Sequence, residues 1–255
     1  MLKKRLVGVI TVRDGWAVQS FGYRRYLPLG HPEKLAENLD RWGADEILVL
    51  CIDRTRRNVG PDFDLLRRLG SLGLSTPLAF GGGIRTVAEA GAIIQSGAER
   101  VCIDAALRDA GVVGGISALV GAQAIIGVLP LSFDGAGLQR LDYLSGRSTP
   151  LTAADLSLFD RRVVSEALIV DWRHEGMTAA FDFNLIRRFP APDVPLIAFG
   201  GVSEADQLKM LFDDDRVAAV GIGNSLSYRE HAVQMLKRQA GGTSIRAARF
   251  VSDSR

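Results

Sequence analysis

Short runs of β-branched and aliphatic residues recur along the chain, each followed by a stretch whose apolar positions have helical spacing. Eight runs stand out: Leu6–Val12, Glu46–Ile52, Pro77–Phe80, Arg100–Asp104, Ala124–Leu129, Ala167–Asp171, Pro195–Phe199 and Val217–Ile222. Apolar residues within them are nearly continuous, which is the pattern of parallel strands covered on both faces. Eight strand–helix units in 255 residues predict a (β/α)8 barrel. A doubly wound open sheet would use the same units, but the chain also repeats itself.

Asp62-Phe63-Asp64-Leu65-Leu66-Arg67-Arg68 returns 120 residues later as Asp182-Phe183-Asn184-Leu185-Ile186-Arg187-Arg188. Ala79-Phe80-Gly81-Gly82 returns 119 residues later as Ala198-Phe199-Gly200-Gly201. Two matches at nearly one offset imply two fused half-barrels, about 1–121 and 122–240, and a period this long excludes a solenoid. Helix starts fit the scheme. Thr86-Val-Ala-Glu89, Thr152-Ala-Ala-Asp155 and Ser203-Glu-Ala-Asp206 all have capping-box spacing. Pro32 suits a first helical position. One domain over 1–240 follows, with a loosely ordered tail over 241–255 that carries Arg246, Arg249 and Arg255.

Composition narrows the function classes. With 47% hydrophobic and 24% charged residues the chain is not disordered, and a net charge of +2 argues against a strongly basic nucleic-acid binder. Cys51 and Cys102 sit inside apolar runs with no metal-ligand spacing, as expected of reduced, buried thiols in a cytoplasmic protein. The basic start leads into an apolar stretch of only Leu6 to Ile10, which reads as a strand rather than a secretion signal. No apolar run approaches the roughly 18 residues of a membrane span.

Candidate chemistry concentrates in glycine turns. Gly81-Gly82-Gly83 follows the third strand and Gly200-Gly201 the seventh, at the barrel rim where such folds build their sites. Glycine lets backbone N–H groups approach an anion, and a helix N-terminus adds a favourable dipole. Gly223, Asn224 and Ser225, after the eighth strand, complete a phosphate cup with Gly200 and Gly201. The matching position after the fourth strand is Asp104, whose carboxylate repels phosphate. One good phosphate site is therefore expected in the C-terminal half and an altered one in the N-terminal half.

The elements KRLVGVITVRDGWAV, GADEILVL, PLAFGGGIRTVAEA with SGAERVCI, and EALIVDWRHEGMTAAFDFNLI resemble the cyclase subunit of imidazole glycerol phosphate synthase, the HisF family. The FGYRRYLPLGHP loop and GPDFDLLRRL look most like paralogues associated with sugar amidination in surface-polysaccharide synthesis. The resemblance implies two catalytic aspartates, at the ends of the first and fifth strands. Here those positions are Thr11 and Pro130, and neither can exchange a proton near neutral pH as a carboxylate does. The family's first-strand lysine falls on Gln19 and its phosphate-binding asparagine on Asp104, while its acid after the sixth strand corresponds to Glu175. The resemblance also implies a ring of four charges at the N-terminal strand ends, gating ammonia from a glutaminase. Its positions are Arg5, Glu46, Arg100 and Glu166, with alternating signs.

A floor ring kept beside a lost catalytic pair implies a synthase-type subunit. It would bind a glutaminase at its N-terminal face and use ammonia on a phosphorylated or nucleotide-sugar substrate, with no cofactor and no metal. Replacement acid–base chemistry falls to Asp104, Glu175 and Asp14, with Asp53 and Asp171 nearby. Each of these could instead cap a helix or pair with Arg54, Arg56, Arg57 or Arg173. His174 is the one histidine placed for the rim, with no charge partner evident. Two further readings stand: a true cyclase of histidine biosynthesis using other acids, and a degenerate barrel serving as scaffold or ammonia conduit.

Overall fold

Parallel pairing runs from each predicted strand to the next and from the last back to the first. In this computed structural model, which describes residues 3–228, 230–242 and 245–248, the barrel strands are Arg5–Arg13, Glu46–Cys51, Leu78–Gly81, Arg100–Ile103, Ile125–Phe133, Glu166–Asp171, Leu196–Phe199 and Val217–Ile222. A helix follows each strand, and the chain is a closed (β/α)8 barrel. Side chains alternate faces along a strand. One apolar set, with Leu6, Ile10, Ile47 and Val49, therefore packs outward against helix residues such as Leu39, Leu65, Leu69 and Ile93. The other set, with Val7, Val9, Leu48, Cys102, Leu168, Val170 and Ile197, fills the lumen.

Helix starts follow local chemistry. Pro32 opens the helix Pro32–Arg41, and Asp62 caps Phe63–Gly70 by accepting from the Leu65 N–H at 3.0 Å. Thr86 and Glu89 form the expected capping box. The Asp155 carboxylate accepts from the Thr152 N–H at 2.9 Å and from its hydroxyl at 2.7 Å. The third start differs by one residue. The helix Ala205–Phe212 begins later than expected, so Glu204 is its cap. Gln207, not Asp206, reaches back to the Ser203 and Glu204 N–H groups, at 2.9 and 3.2 Å. Ser203 Oγ instead accepts from the Ala179 N–H at 2.9 Å.

The two glycine turns match in shape but not in the register of the sequence repeat. Gly82 and Gly83 have φ of +112° and +78°, and Gly200 and Gly201 have +100° and +78°. A Cβ on Gly82 would lie 2.2 Å from the Cys51 carbonyl oxygen, and one on Gly200 would lie 2.6 Å from that of Asp171. Gly82 is thus the counterpart of Gly200, one residue off the sequence match. A one-residue slip reverses the facing of every side chain. Phe80 accordingly packs outward, whereas Phe199 points into the lumen.

Two hairpins rise from the rim beyond the eight expected strands. Arg13 pairs with Trp16 across Asp14-Gly15, both at positive φ, and the strand Trp16–Phe21 pairs with Arg25–Gly30. Such a two-residue Asp-Gly turn matches the right-handed twist of the flanking strands. The fifth strand, expected to stop at Leu129, runs on to Phe133 and pairs with Leu138–Asp142, which pairs with Arg147–Pro150. Ile245, in the segment expected to be loose, is buried and bridges to Lys4. Arg249 and Arg255 lie outside the described residues. Among the described residues no helix is long and apolar enough to cross a membrane.

The Gly82 backbone gives a direct check. Gly82→Ala combines a left-handed φ with a carbonyl clash and should lower unfolding free energy by about 2–4 kcal/mol, measured by urea denaturation. A change within error would show that the turn has room to relax.

Candidate functional site

The floor of the barrel is closed by charge. Arg5, Glu46, Arg100 and Glu166 begin their strands, and alternation carries all four to the lumen below Val7, Leu48, Cys102 and Leu168. Arg5 Nη2 lies 2.7 Å from both Glu166 carboxylate oxygens, and Arg5 Nη1 lies 3.5 Å from Glu46 Oε2. Arg100 Nη1 lies 2.7 Å from Glu166 Oε2 and 3.3 Å from Glu46 Oε1. Each cation therefore touches both anions, and the ring closes with no net charge. Arg100 is held further by Ser165 Oγ at 3.1 Å and the Gln123 carbonyl at 3.2 Å. Burial disfavours the Glu166 carboxylate, but Arg100 and Arg5 outweigh it and hold its pKa below the ordinary value. Beside the ring, at the same end of the barrel, a cavity of about 450 Å³ is bordered by Lys3, Arg5, Glu166, Asp193, Arg216 and Arg246.

At the opposite end the first hairpin crosses the mouth as a strap. Ser20 exchanges two hydrogen bonds with the Asn224 side chain: its N–H donates at 3.3 Å and its carbonyl accepts at 2.7 Å. Ser20 Oγ donates to Glu175 Oε2 at 2.9 Å, the Tyr23 N–H donates to the same oxygen at 3.3 Å, and the Gly22 N–H donates to the Glu175 carbonyl at 2.8 Å. Two cavities lie beside the strap and share no lining residue.

The C-terminal cavity, about 310 Å³, brings together Gly200, Gly201, Gly223, Asn224 and Ser225, with Thr11 and Glu175 on its wall. Part of the expected phosphate cup is already engaged. The Asn224 amide holds the strap, and the Ser203 and Glu204 N–H groups serve Gln207. Ser225 Oγ is buried with no hydrogen-bond partner. The N-terminal cavity, about 210 Å³, holds Gly81, Gly82, Gly83, Asp104, Pro130 and an aromatic wall that includes Tyr23 and Trp172. Here the Gly83 N–H donates to Thr55 Oγ1 at 3.1 Å rather than facing an open cup. Burial pushes the Asp104 carboxyl up to about 6, partly opposed by the Tyr143 hydroxyl bonded to it.

The remaining acids fall in different places. Glu175 is only 2% exposed, and burial raises its pKa against the Ser20 hydrogen bond. Asp14 lies in the hairpin turn, paired with Arg57 and 3.5 Å from Arg13, and borders neither rim cavity. Asp53 pairs with Arg57 at 3.1 Å. Asp171 is 1% exposed and accepts from the Asp182 N–H at 2.8 Å and from His174 Nδ1 at 2.8 Å. His174 therefore has the charge partner that its sequence context did not reveal, and it borders neither rim cavity. Cys51 and Cys102 are free and buried, and burial raises both thiol pKa values. Among the described residues no cluster of three or more His, Cys, Asp or Glu side chains is gathered for a metal. Sequence reasoning missed the strap, although Asp14-Gly15 between alternating residues is a hairpin signal.

A family model described as histidine biosynthesis protein matches residues 5–232. A Vibrio vulnificus protein, provisionally named imidazole glycerol phosphate synthase subunit hisF2, is 28% identical over 94% of this chain and 89% of its own length. The imidazole glycerol phosphate synthase subunit HisF of Myxococcus xanthus is 29% identical over 94% of this chain and 97% of its own. That of Staphylococcus aureus strain Newman is 26% identical over 96% and 100%. The chain belongs to the histidine biosynthesis protein family and is similar along nearly its whole length to HisF subunits.

The charged groups titrate in opposite senses. The Glu166 pKa is depressed on folding, so its contribution is present above its unfolded value of 4.5 and lost as pH falls below that. Glu166→Gln should leave two half-buried arginines short of a counter-charge and cost about 2–4 kcal/mol at pH 7, somewhat less than for a fully buried pair, with the difference shrinking toward pH 3. Asp104 is raised from 3.8 to about 6, so it disfavours the fold above about 6 and stops doing so as pH falls toward 4. Asp104→Asn should therefore raise the thermal midpoint at pH 7 and leave it unchanged at pH 4. A lower midpoint at pH 7 would contradict this assignment.

Proposed function

We propose that this family member is a synthase subunit that takes ammonia from a glutaminase docked beneath the floor ring. It delivers that ammonia to a phosphorylated or nucleotide-sugar substrate at the rim, in the amidination of a surface-polysaccharide sugar. The observation that carries the reading is the closed Arg5–Glu166–Arg100–Glu46 ring under an aliphatic lumen. Uncharged ammonia loses only hydrogen bonds on entering such a lumen, whereas ammonium would leave a charge unsolvated in it. Admission requires one arginine to swing out of the ring, a motion that a docked partner can drive through the adjacent floor cavity. The substrate's phosphate is assigned to the C-terminal cavity, with Gly200, Gly201, Gly223 and Ser225 as its cradle.

The imidazole-forming reaction that the relatives' names denote is disfavoured for this chain. Thr11 stands on the C-terminal cavity and Pro130 on the N-terminal one, and neither can act as general acid or base. The ammonia-conduit reading has one specific observation in its favour. Glu175 is already held by the strap and Asp14 stands apart, which leaves Asp104, bonded to the Tyr143 hydroxyl, as the one named acid bordering a cavity that the strap does not hold.

Three assays separate these readings. Adding the chain to its glutaminase partner with glutamine should raise glutamine turnover at least tenfold; absence of a complex and of stimulation would end the proposal. With ammonium salt and the ribulotide substrate of the histidine pathway, the chain should fall at least about 10²-fold below an intact cyclase. In the coupled reaction Asp104→Ala should abolish transfer to the acceptor while glutaminase stimulation persists. Unchanged transfer would favour the conduit.

A further inference from the structure

The N-terminal cavity differs in its lining from the C-terminal one. Its glycine turn has the left-handed backbone of an anion cradle, but the Gly83 N–H is taken by Thr55 Oγ1 at 3.1 Å. Asp104 places a carboxyl group among the lining residues, with the Tyr143 hydroxyl bonded to it. The rest of the lining includes an apolar and aromatic set: Leu50, Val128, Val170, Tyr23 and Trp172. The Trp172 indole N–H is buried and has no hydrogen-bond partner. Arg24 and Arg56 stand at the exposed edge rather than within. The strap, bonded to Asn224 and Glu175, lies between this cavity and the C-terminal one, so a ligand here need not share the other site.

We propose that this cavity is a binding site of its own for a neutral ring carrying hydrogen-bond donors along one edge, with Asp104 as the residue that accepts those donors and turns phosphate away. The carboxylate and the hydroxyls of Tyr143 and Thr55 read the polar edge. Tyr23 and Trp172 cover the apolar face, and the buried indole N–H behind that face senses what packs against it. A cation is disfavoured by Arg24 and Arg56 at the entrance. Both a pyranose and a nucleobase have this chemistry. The inference deepens the proposed function and rests on it only in taking the ligand to be the ammonia acceptor. Binding to the isolated chain tests the site, while glutaminase stimulation tests the coupling, so either can fail alone.

The test follows the Trp172 indole N–H resonance by NMR at pH 7.5, assigned with Trp172→Phe, during titration with methyl glucopyranoside, guanosine and inorganic phosphate. In the wild-type chain one of the two neutral rings should shift the resonance and phosphate should not. The ring that binds decides between sugar and base. In Asp104→Asn, shown folded by its thermal midpoint, affinity for that ring should fall at least tenfold, and phosphate should now shift the resonance. The proposal is overturned if neither neutral ring moves Trp172, if phosphate moves it in the wild-type chain, or if Asp104→Asn leaves both responses unchanged.

Discussion

Closure of eight parallel strands converts a two-residue alternation into a column with three chemically distinct levels. Because every second side chain must face the lumen, Arg5, Glu46, Arg100 and Glu166 meet at the floor, with their apolar neighbours two residues on stacked directly above. Four charges, three of them partly buried and Glu46 fully buried, would be costly singly. Together they form a neutral ring in which each group has two opposite neighbours, so loss of any one member unbalances the other three. The aliphatic middle then isolates that ring from the rim, which leaves the rim free to change chemistry without disturbing the floor.

The rim differs between the two halves. The seventh strand brings Phe199 to the lumen where the third brings Gly81, a consequence of the one-residue slip between otherwise matching turns. Beside the strap the C-terminal cavity keeps small residues and an unpartnered Ser225 hydroxyl. The N-terminal cavity has a carboxyl group and aromatic walls. Glu175 ties the strap down and Asp171 organises its own loop through Asp182 and His174, so both buried acids have structural work that accounts for their burial.

Much of this was legible in the chain. Continuous apolar runs marked all eight strands because parallel strands are covered on both faces, and the family resemblance pointed to the four floor charges, each of which stood at a strand start. The strap was not legible in the same way. Its bonds join Ser20 to residues more than 150 positions away, and no local pattern announces such a contact. The repeat was found but aligned one residue off, because identical letters at Ala79–Gly82 and Ala198–Gly201 do not report which face a side chain takes. Glu175 looked available as an acid for a related reason: sequence shows a carboxylate but not the three donors already bonded to its residue. The Ser203 cap moved because Gln207 competes with Asp206 for the same backbone donors.

With Thr11 and Pro130 bordering the rim cavities and a closed charge ring at the floor, the floor is the surface on which the proposed function stands. The most direct measurement is amide hydrogen exchange on the chain with and without its glutaminase. The account predicts protection at the strand starts around Arg5, Glu46, Arg100 and Glu166 and in the segments around Asp193 and Arg216, with the rim hairpins unchanged. Protection confined to the rim, or none anywhere at saturating partner, would contradict it.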